Sequence, residues 1–266
     1  MSGLPDKSVD LAVFSPPFAD LYVYSASDRD VGNCRGENEF FEHFYFVRTA
    51  LRRIMVPGRM VCIHCMNLPT VKARDGVIGL RDFRGAIISA MIDSGFIFHS
   101  EVVIWKDPVT AMQRTKALGL LHKQLKKDSC MSRMGIPDYV VTFRTPGENP
   151  KPVSHTNDTF PVSQWQEWAS PIWSDINQTD VLAFREAREH EDEKHICPLQ
   201  LEVIRRCLVL WSNPGDVVLD PFGGIGSVGY EALRAGRKTI SIELKPSYFA
   251  QNVRHLSMAR DQLALL

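Results

Sequence analysis

The 266-residue chain has no excess charge of either sign: 31 basic residues balance 31 acidic ones. A protein that grips a polyanion through overall charge is usually more basic. Any such contact must come from a local patch. No apolar run is long enough to span a bilayer. Residues Met1 to Asp6 lack the basic region and apolar core of a signal peptide. A cytoplasmic protein is therefore expected. Cysteine is sparse, and of the six only Cys62-Ile63-His64-Cys65 has the look of a metal motif. It lies in the apolar run from Met60 to Cys65, which reads as a strand. Residues three apart on a strand point to opposite faces, and no second cysteine pair completes a zinc site. Both thiols are expected to be buried. Internal repeats are absent as well.

What is present is 44% hydrophobic, enough to build a core for one domain spanning residues 1–266. Val9 to Phe14 reads as a buried strand that stops at the rigid turn Ser15-Pro16-Pro17. Residues 19 to 37 read as a polar loop. Phe40 to Met55 has helical spacing, with Pro57-Gly58 expected to end the helix before the strand at Met60. A helix from Phe83 to Asp93 and a strand from Val102 to Trp105 follow. The alternation predicts an α/β fold, a mostly parallel sheet with helices on both faces. Residues 106–135 interrupt it with seven Lys or Arg against two Asp. Tyr139 to Phe143 returns to strand character. Residues 146–193 read as loops rich in Pro, Ser, Asn and Trp that end in a solvated acidic run. Both segments are expected to be insertions.

From Pro198 the rhythm resumes with a helix to Trp211 and a strand, Val217 to Leu219. Asp220-Pro221-Phe222-Gly223-Gly224-Ile225-Gly226-Ser227 then opens a helix. Glycines there let backbone turn tightly and approach a ligand at the carboxyl end of the strand. The next strand, Thr239 to Ile242, ends in Glu243. A carboxylate in that place can accept two hydrogen bonds from a ribose diol. A plain reading stays open beside this one: glycines for packing and a capping glutamate.

These pieces, with His195-Ile196-Cys197-Pro198-Leu199 and Ile242-Glu243-Leu244-Lys245-Pro246-Ser247-Tyr248, resemble the cofactor half of the amino-methylating DNA methyltransferases. Ile196 stands where that family often has Pro, and Ser227 where it often has Thr. The resemblance implies a Rossmann-like fold and S-adenosylmethionine as cofactor. Its implied binding residues are Pro198, Asp220, Pro221, Phe222, Gly223, Gly224, Gly226, Ser227 and Glu243.

The same family carries an amine-binding motif that Ser15-Pro16-Pro17-Phe18 resembles. The exocyclic amine of cytosine or adenine is a poor nucleophile, because its lone pair is delocalised into the ring. Acceptors aimed at its N–H groups localise that pair and stabilise the charge gained on methylation. Ser15 can offer its hydroxyl and Pro16 its carbonyl, Pro17 stiffens the turn, and Phe18 can stack on a base flipped out of double-stranded DNA. The chain has no Pro-Cys dipeptide, in which the carbon-5 cytosine enzymes carry their nucleophile. The catalytic turn precedes the cofactor loop, the order of the permuted β class. Serine at position 15 favours cytosine N4, with adenine N6 as the alternative. Amines of RNA or protein, or a non-catalytic DNA-binding subunit, are further readings. The segment 106–135 is expected to contact DNA, and residues 19–37, with Tyr22, Tyr24, Arg29 and Arg35, to close over the base. The resemblance also implies a strand preceding Leu4-Pro5-Asp6 that the sequence as given starts too late to contain.

Overall fold

The structure, a computed structural model, describes residues 1–19, 30–115, 118–183 and 198–263. In chain order its elements are β1 (Val9–Phe14), α1 (Glu37–Ile54), β2 (Met55–Met66), β3 (Leu68–Thr70), α2 (Lys72–Asp75), β4 (Gly79–Arg81), α3 (Phe83–Asp93) and β5 (Ile97–Ile104). Then come α4 (Pro108–Thr115), α5 (His122–Leu125), β6 (Asp138–Arg144), α6 (Val162–Trp168), β7 (Ile172–Trp173), α7 (Leu201–Trp211), β8 (Val217–Asp220), α8 (Ser227–Arg234), β9 (Lys238–Ser241) and α9 (Pro246–Leu263).

A seven-stranded sheet runs in the order β7-β5-β6-β2-β1-β8-β9, and β3 pairs with β4 in a separate two-stranded sheet. Neighbouring strands are parallel except at β6, which is antiparallel to both β2 and β5. The exception has a simple cause. The chain leaves β5 and enters β6 at the same end of the sheet, so α4 and α5 between them make no crossover.

Successive side chains of a strand face opposite sides, and both sides of this sheet are covered. On one, Ala12, Phe14, Val61 and Ile63 pack with Phe40, Phe44, Leu51 and Ile54 of α1 and Phe83, Ile87 and Met91 of α3. On the other, Leu11, Val13, Val140 and Val218 pack with Val203, Ile204, Cys207 and Leu208 of α7 and Val228 and Ala232 of α8. This is why the central strands are apolar at nearly every position. Cys62 and Cys65 are buried as expected and lie in these two different layers. Burial drives the Cys65 thiol far above its ordinary range.

One boundary departs from the sequence reading. Pro57-Gly58 does not separate a helix from a strand, because β2 already begins at Met55. The pair lies instead in a bulge. Val9 pairs with Met55 but Leu11 pairs with Met60. Gly58 has φ 73°, and a Cβ there would meet backbone of Asn149 at 2.6 Å. A bulge accepts proline because the ladder is already broken there.

Strands β1 and β8 are neighbours, yet the helices that follow them lead in opposite directions, to β2 and to β9. Such a reversal opens a crevice beyond the carboxyl ends of the strands, where open α/β sheets hold their ligands. Ser15 follows β1 directly, and the glycine loop follows β8.

Candidate active site

The register brings the two motifs together. Leu11 pairs with Val218 and Ala12 with Leu219, which sets Val13 beside Asp220. The Ser15 turn and the loop from Pro221 therefore leave the sheet side by side. Phe14 and Phe222 join them, with ring centroids 5.8 Å apart.

The glycine-loop side of the crevice is built around two carboxylates. Asp220 is buried and accepts a hydrogen bond from the Phe222 N–H (3.0 Å). Burial, with the Glu243 charge nearby, pushes its carboxyl up to about 7, against the pull of that N–H. Glu243 lies just past β9. It accepts from the Gly224 N–H at 2.7 Å with one oxygen and from the Lys245 N–H at 2.8 Å with the other. Burial raises its carboxyl too, and these backbone bonds oppose the rise. The Leu244 N–H acts on the carboxylate as well, so of its roughly four acceptor positions a part stays open for a further donor.

The glycines divide by role. A Cβ on Gly223 would lie 2.0 Å from Ser241 Oγ, and one on Gly226 (φ 92°) would lie 2.8 Å from Asn252. Packing against β9 and α9 explains these two. The Asn252 side chain holds the loop by donating to Ser241 Oγ (2.8 Å) and to the Gly224 carbonyl (3.3 Å). Gly224 is different: at φ 49°, its Cβ would meet nothing nearer than 4.0 Å. Its open side is the cradle of the loop. Pro221 lies buried in the turn, and Ser227 is buried as the first residue of α8. Pro198 is half-buried ahead of α7, beside Leu199, which shares a core layer with Ile225 of the loop.

On the other side of the crevice, Pro16 is buried while Ser15, Pro17 and Phe18 are half-buried. The Pro17 carbonyl accepts from the Ala19 N–H at 3.0 Å, with Ala19 held at φ 49°. This tight turn fixes the direction of Phe18. The Phe18 ring leans on Phe83 (6.2 Å between centroids) and His64 (6.0 Å). It is a packed wall of the site and not a free flap. Of the expected lid, residues 20–29 lie outside the described residues. Asp30, which follows them, accepts from the Gly32 N–H at 2.8 Å.

Sequence reasoning missed the residues behind Ser15. Phe14 pairs with Ile63, so Ser15 falls beside His64, and its Oγ lies 3.0 Å from His64 Nδ1. On β6, Val140 stands opposite His64 and Asp138 opposite Met66. Asp138 is thus the diagonal, same-face neighbour of His64, with its Oδ2 at 3.3 Å from Nε2. Ile104 pairs with Asp138, and Lys106, two residues on, donates to Asp138 Oδ1 at 2.6 Å. Burial pushes the Asp138 carboxyl up, but His64 and Lys106 outweigh it and hold the group below the usual carboxylate range. The row Ser15, His64, Asp138, Lys106 crosses four adjacent strands on one face. The signal in the sequence was His64 at the end of an apolar strand, masked there by the two cysteines around it.

The basic insertion sits over this edge. Residues 106–135 leave the end of β5 and return to the start of β6, and Lys123, Lys126 and Lys127 are exposed. The other insertion, expected as loops, also carries α6 and β7, and β7 joins the main sheet beside the end of β5; only its start lies away from the site. Lys151 and Pro152 bind Arg59, Asp216 and Asn213 at the opposite end of the sheet.

Against known proteins, the profile of a DNA methylase family, the N6/N4 methyltransferases, matches residues 9–254. The chain belongs to that family. Its permuted motif order and sheet are those of a Rossmann-like methyltransferase. The type II methyltransferase M.BglII of Bacillus subtilis is 35% identical over 251 residues, which cover 92% of this chain and 62% of M.BglII. Among solved structures, TTHA0409 of Thermus thermophilus, complexed with S-adenosyl-L-methionine, superposes with a TM-score of 0.70 at 23% identity, covering 97% of this chain and 89% of that one. The cytosine-N4-specific PvuII DNA methyltransferase gives 0.67 at 16% identity, covering 98% and 88%. No helix among the described residues is long and apolar enough to cross a membrane.

Proposed function

We propose that this methylase uses S-adenosylmethionine to methylate an exocyclic amine of a base in double-stranded DNA, with cytosine N4 as the target. The observation that carries the reading is the meeting of Ser15-Pro16-Pro17-Phe18 and the Asp220–Glu243 loop at the ends of adjacent strands.

The residues fit the cofactor. Its methionine part carries an ammonium, and Asp220 is a buried carboxylate with which no basic side chain pairs among the described residues. Its ribose carries two hydroxyls, and the Glu243 oxygens face the loop with acceptor capacity left. The open side of Gly224 gives the backbone room to approach. When bound, the cofactor supplies an electrophilic methyl group on a sulfonium. The chain's residues do the rest. Ser15 Oγ and the Pro16 carbonyl accept from the amine N–H groups and orient its lone pair. Phe18, already braced by Phe83, stacks on the flipped base. Lys123, Lys126 and Lys127 meet phosphates outside the crevice.

Serine supports cytosine N4 because a hydroxyl backed by His64 replaces the Asp or Asn that more often faces adenine. The N4-specific neighbour PvuII shares the fold. The test is methyl transfer from labelled cofactor to DNA, followed by mass spectrometry of its nucleosides. N4-methylcytosine is expected. N6-methyladenine would correct the base but keep the chemistry. Cofactor and DNA binding without transfer to either base would identify a non-catalytic subunit.

A further inference from the structure

We propose that His64, held by Asp138 and Lys106, is a positioning residue that receives through Ser15 the proton the amine must shed. The inference rests on the amino-methyltransferase reading above. The amine needs such a route. Its nitrogen gives a lone pair to the methyl carbon while the S–C electron pair stays on sulfur. It becomes cationic and must lose one N–H proton before the product is neutral.

The geometry supplies a directed path. Asp138 Oδ2 lies 3.3 Å from His64 Nε2, a charge contact without hydrogen-bond alignment, and Asp138 Oδ1 accepts from Lys106 at 2.6 Å. A carboxylate at Nε2 favours the tautomer with its proton there, which leaves Nδ1 as an acceptor. Nδ1 lies 3.0 Å from Ser15 Oγ. The serine O–H then points at His64, and both serine lone pairs turn to the amine. In that orientation Ser15 is a better acceptor than a freely rotating hydroxyl. On transfer, the amine proton passes to Ser15 Oγ and the serine proton to His64 Nδ1. The result is an imidazolium against the Asp138 carboxylate, which returns its proton to solvent when the product leaves. No other reactant is consumed.

The alternative is a buried histidine that merely bridges strands. His64 is 8% exposed and fills a place between Phe18 and β6, so packing alone could retain it. Its other charged surroundings do not compete for Nδ1. Arg84, Glu101 and Asp82 act on Cys65, whose side chain faces the α3 layer, and Arg84 is engaged by Glu101 at 2.6 Å. On the β8 side, Asp220 and Glu243 serve the cofactor loop.

The decisive readout is the pH profile of single-turnover methyl transfer by the whole protein with saturating cofactor and DNA. In the unaltered protein the rate should fall at low pH, once His64 is protonated and cannot take the serine proton. His64→Asn keeps an acceptor near the Nδ1 position but cannot be protonated. It should lose about a hundredfold in rate, the scale of proton-transfer catalysis, and lose the acidic limb. Its cofactor and DNA dissociation constants should stay within about twofold. Ser15→Ala with His64→Asn should be no slower than Ser15→Ala alone, because the two act as one unit. Should His64→Asn fail to fold, Asp138→Asn reads the same limb, which should move to lower pH because the imidazolium has lost its counter-ion. A retained acidic limb in His64→Asn, an unmoved limb in Asp138→Asn, or additive losses in the double variant would overturn the proposal. Failure of the unaltered protein to methylate any DNA would instead overturn the function on which it rests.

Discussion

The two ends of this sheet hold similar charged groups in opposite states of completion. At the amino end, Arg59 and Asp216 are both almost fully buried and paired. Arg59 also donates to the carbonyls of Asp10 and Lys151, each at 2.9 Å. Asp216 takes Lys151 Nζ at 2.5 Å and the Asn213 N–H at 2.7 Å, and Asp10 caps the Val217 N–H at 2.8 Å. The strands β1, β2 and β8 are locked there by charges that answer one another. At the carboxyl end the networks stop short. Asp220 has one N–H, Glu243 has spare lone pairs, and Ser15 terminates a row that begins at Lys106. Closed networks of buried charge hold a fold together. A network left open on a crevice costs stability and is poised for a ligand.

The largest effect should come from opening the closed end. Arg59→Met leaves Asp216 buried without its main partner and should cost about 3–5 kcal/mol, the usual penalty for an uncompensated buried charge. Urea unfolding measures it. Cofactor affinity per folded molecule should not change. A fall in that affinity would mean that the two ends are coupled.

At the open end the order reverses, with stability kept and chemistry lost. Ser15→Ala should slow single-turnover transfer by roughly tenfold to a thousandfold, by analogy with removal of an oxyanion donor. Its unfolding free energy should stay within about 1 kcal/mol, since the substitution removes a single, partly buried hydrogen bond. A large loss of stability would move Ser15 to the structural side of the comparison.

Glu243→Ala should weaken S-adenosylmethionine binding by about 1–3 kcal/mol, the scale for hydrogen bonds to a charged group. Calorimetry on the folded variant decides it. An unchanged affinity would leave Glu243 as a clamp on the Gly224 and Lys245 amides and nothing more.

Much of this was legible in sequence, and the reason is local. The helix Phe83–Asp93 was readable to the residue because Asp82 caps it, accepting from the Gly85 N–H at 2.9 Å, and Ser94-Gly95 ends it. The glycine loop and Glu243 follow their strands directly. What escaped notice depends on register. The row from Ser15 to Lys106 joins residues far apart in the chain, and nothing local to His64 says that it will stand beside Ser15. Asp138 reads as the polar edge of a strand until β6 is known to run antiparallel to β2. Pro57-Gly58 misled for the converse reason: its local signal is a stop, yet the bulge packed against Asn149 absorbs it.

The basic insertion should respond more weakly than either end, because it acts through exposed charge. Neutralising Lys123, Lys126 and Lys127 together should lower the slope of log affinity against log salt by up to about 0.9 for each phosphate that the lysines no longer neutralise. Single-turnover rates at saturating DNA should be unaffected. An unaltered slope would place the DNA surface elsewhere.

A pH-dependent effect follows from the titration of Asp220. Its carboxyl is raised to about 7 from an ordinary value of 3.8, chiefly by burial. Between those values the folded protein holds a proton that the unfolded chain has released. Stability therefore falls as pH rises through that window, and levels off once the folded carboxyl has ionised. A bound ammonium reverses the preference, because it favours the ionised carboxylate. Cofactor affinity should thus rise with pH up to about 7 and then flatten. Each unit below that point should cost at most about tenfold, about 1.4 kcal/mol. Asp220→Asn should abolish the dependence, and it should be more stable than the unaltered protein at about pH 8, where the buried charge is present in one and absent in the other. Calorimetric titrations at about pH 6, 7 and 8, spanning the transition, would measure both arms. A flat affinity profile in the unaltered protein would show that the ammonium sits elsewhere, and Asp220 would then join Asp216 as a residue of the fold alone.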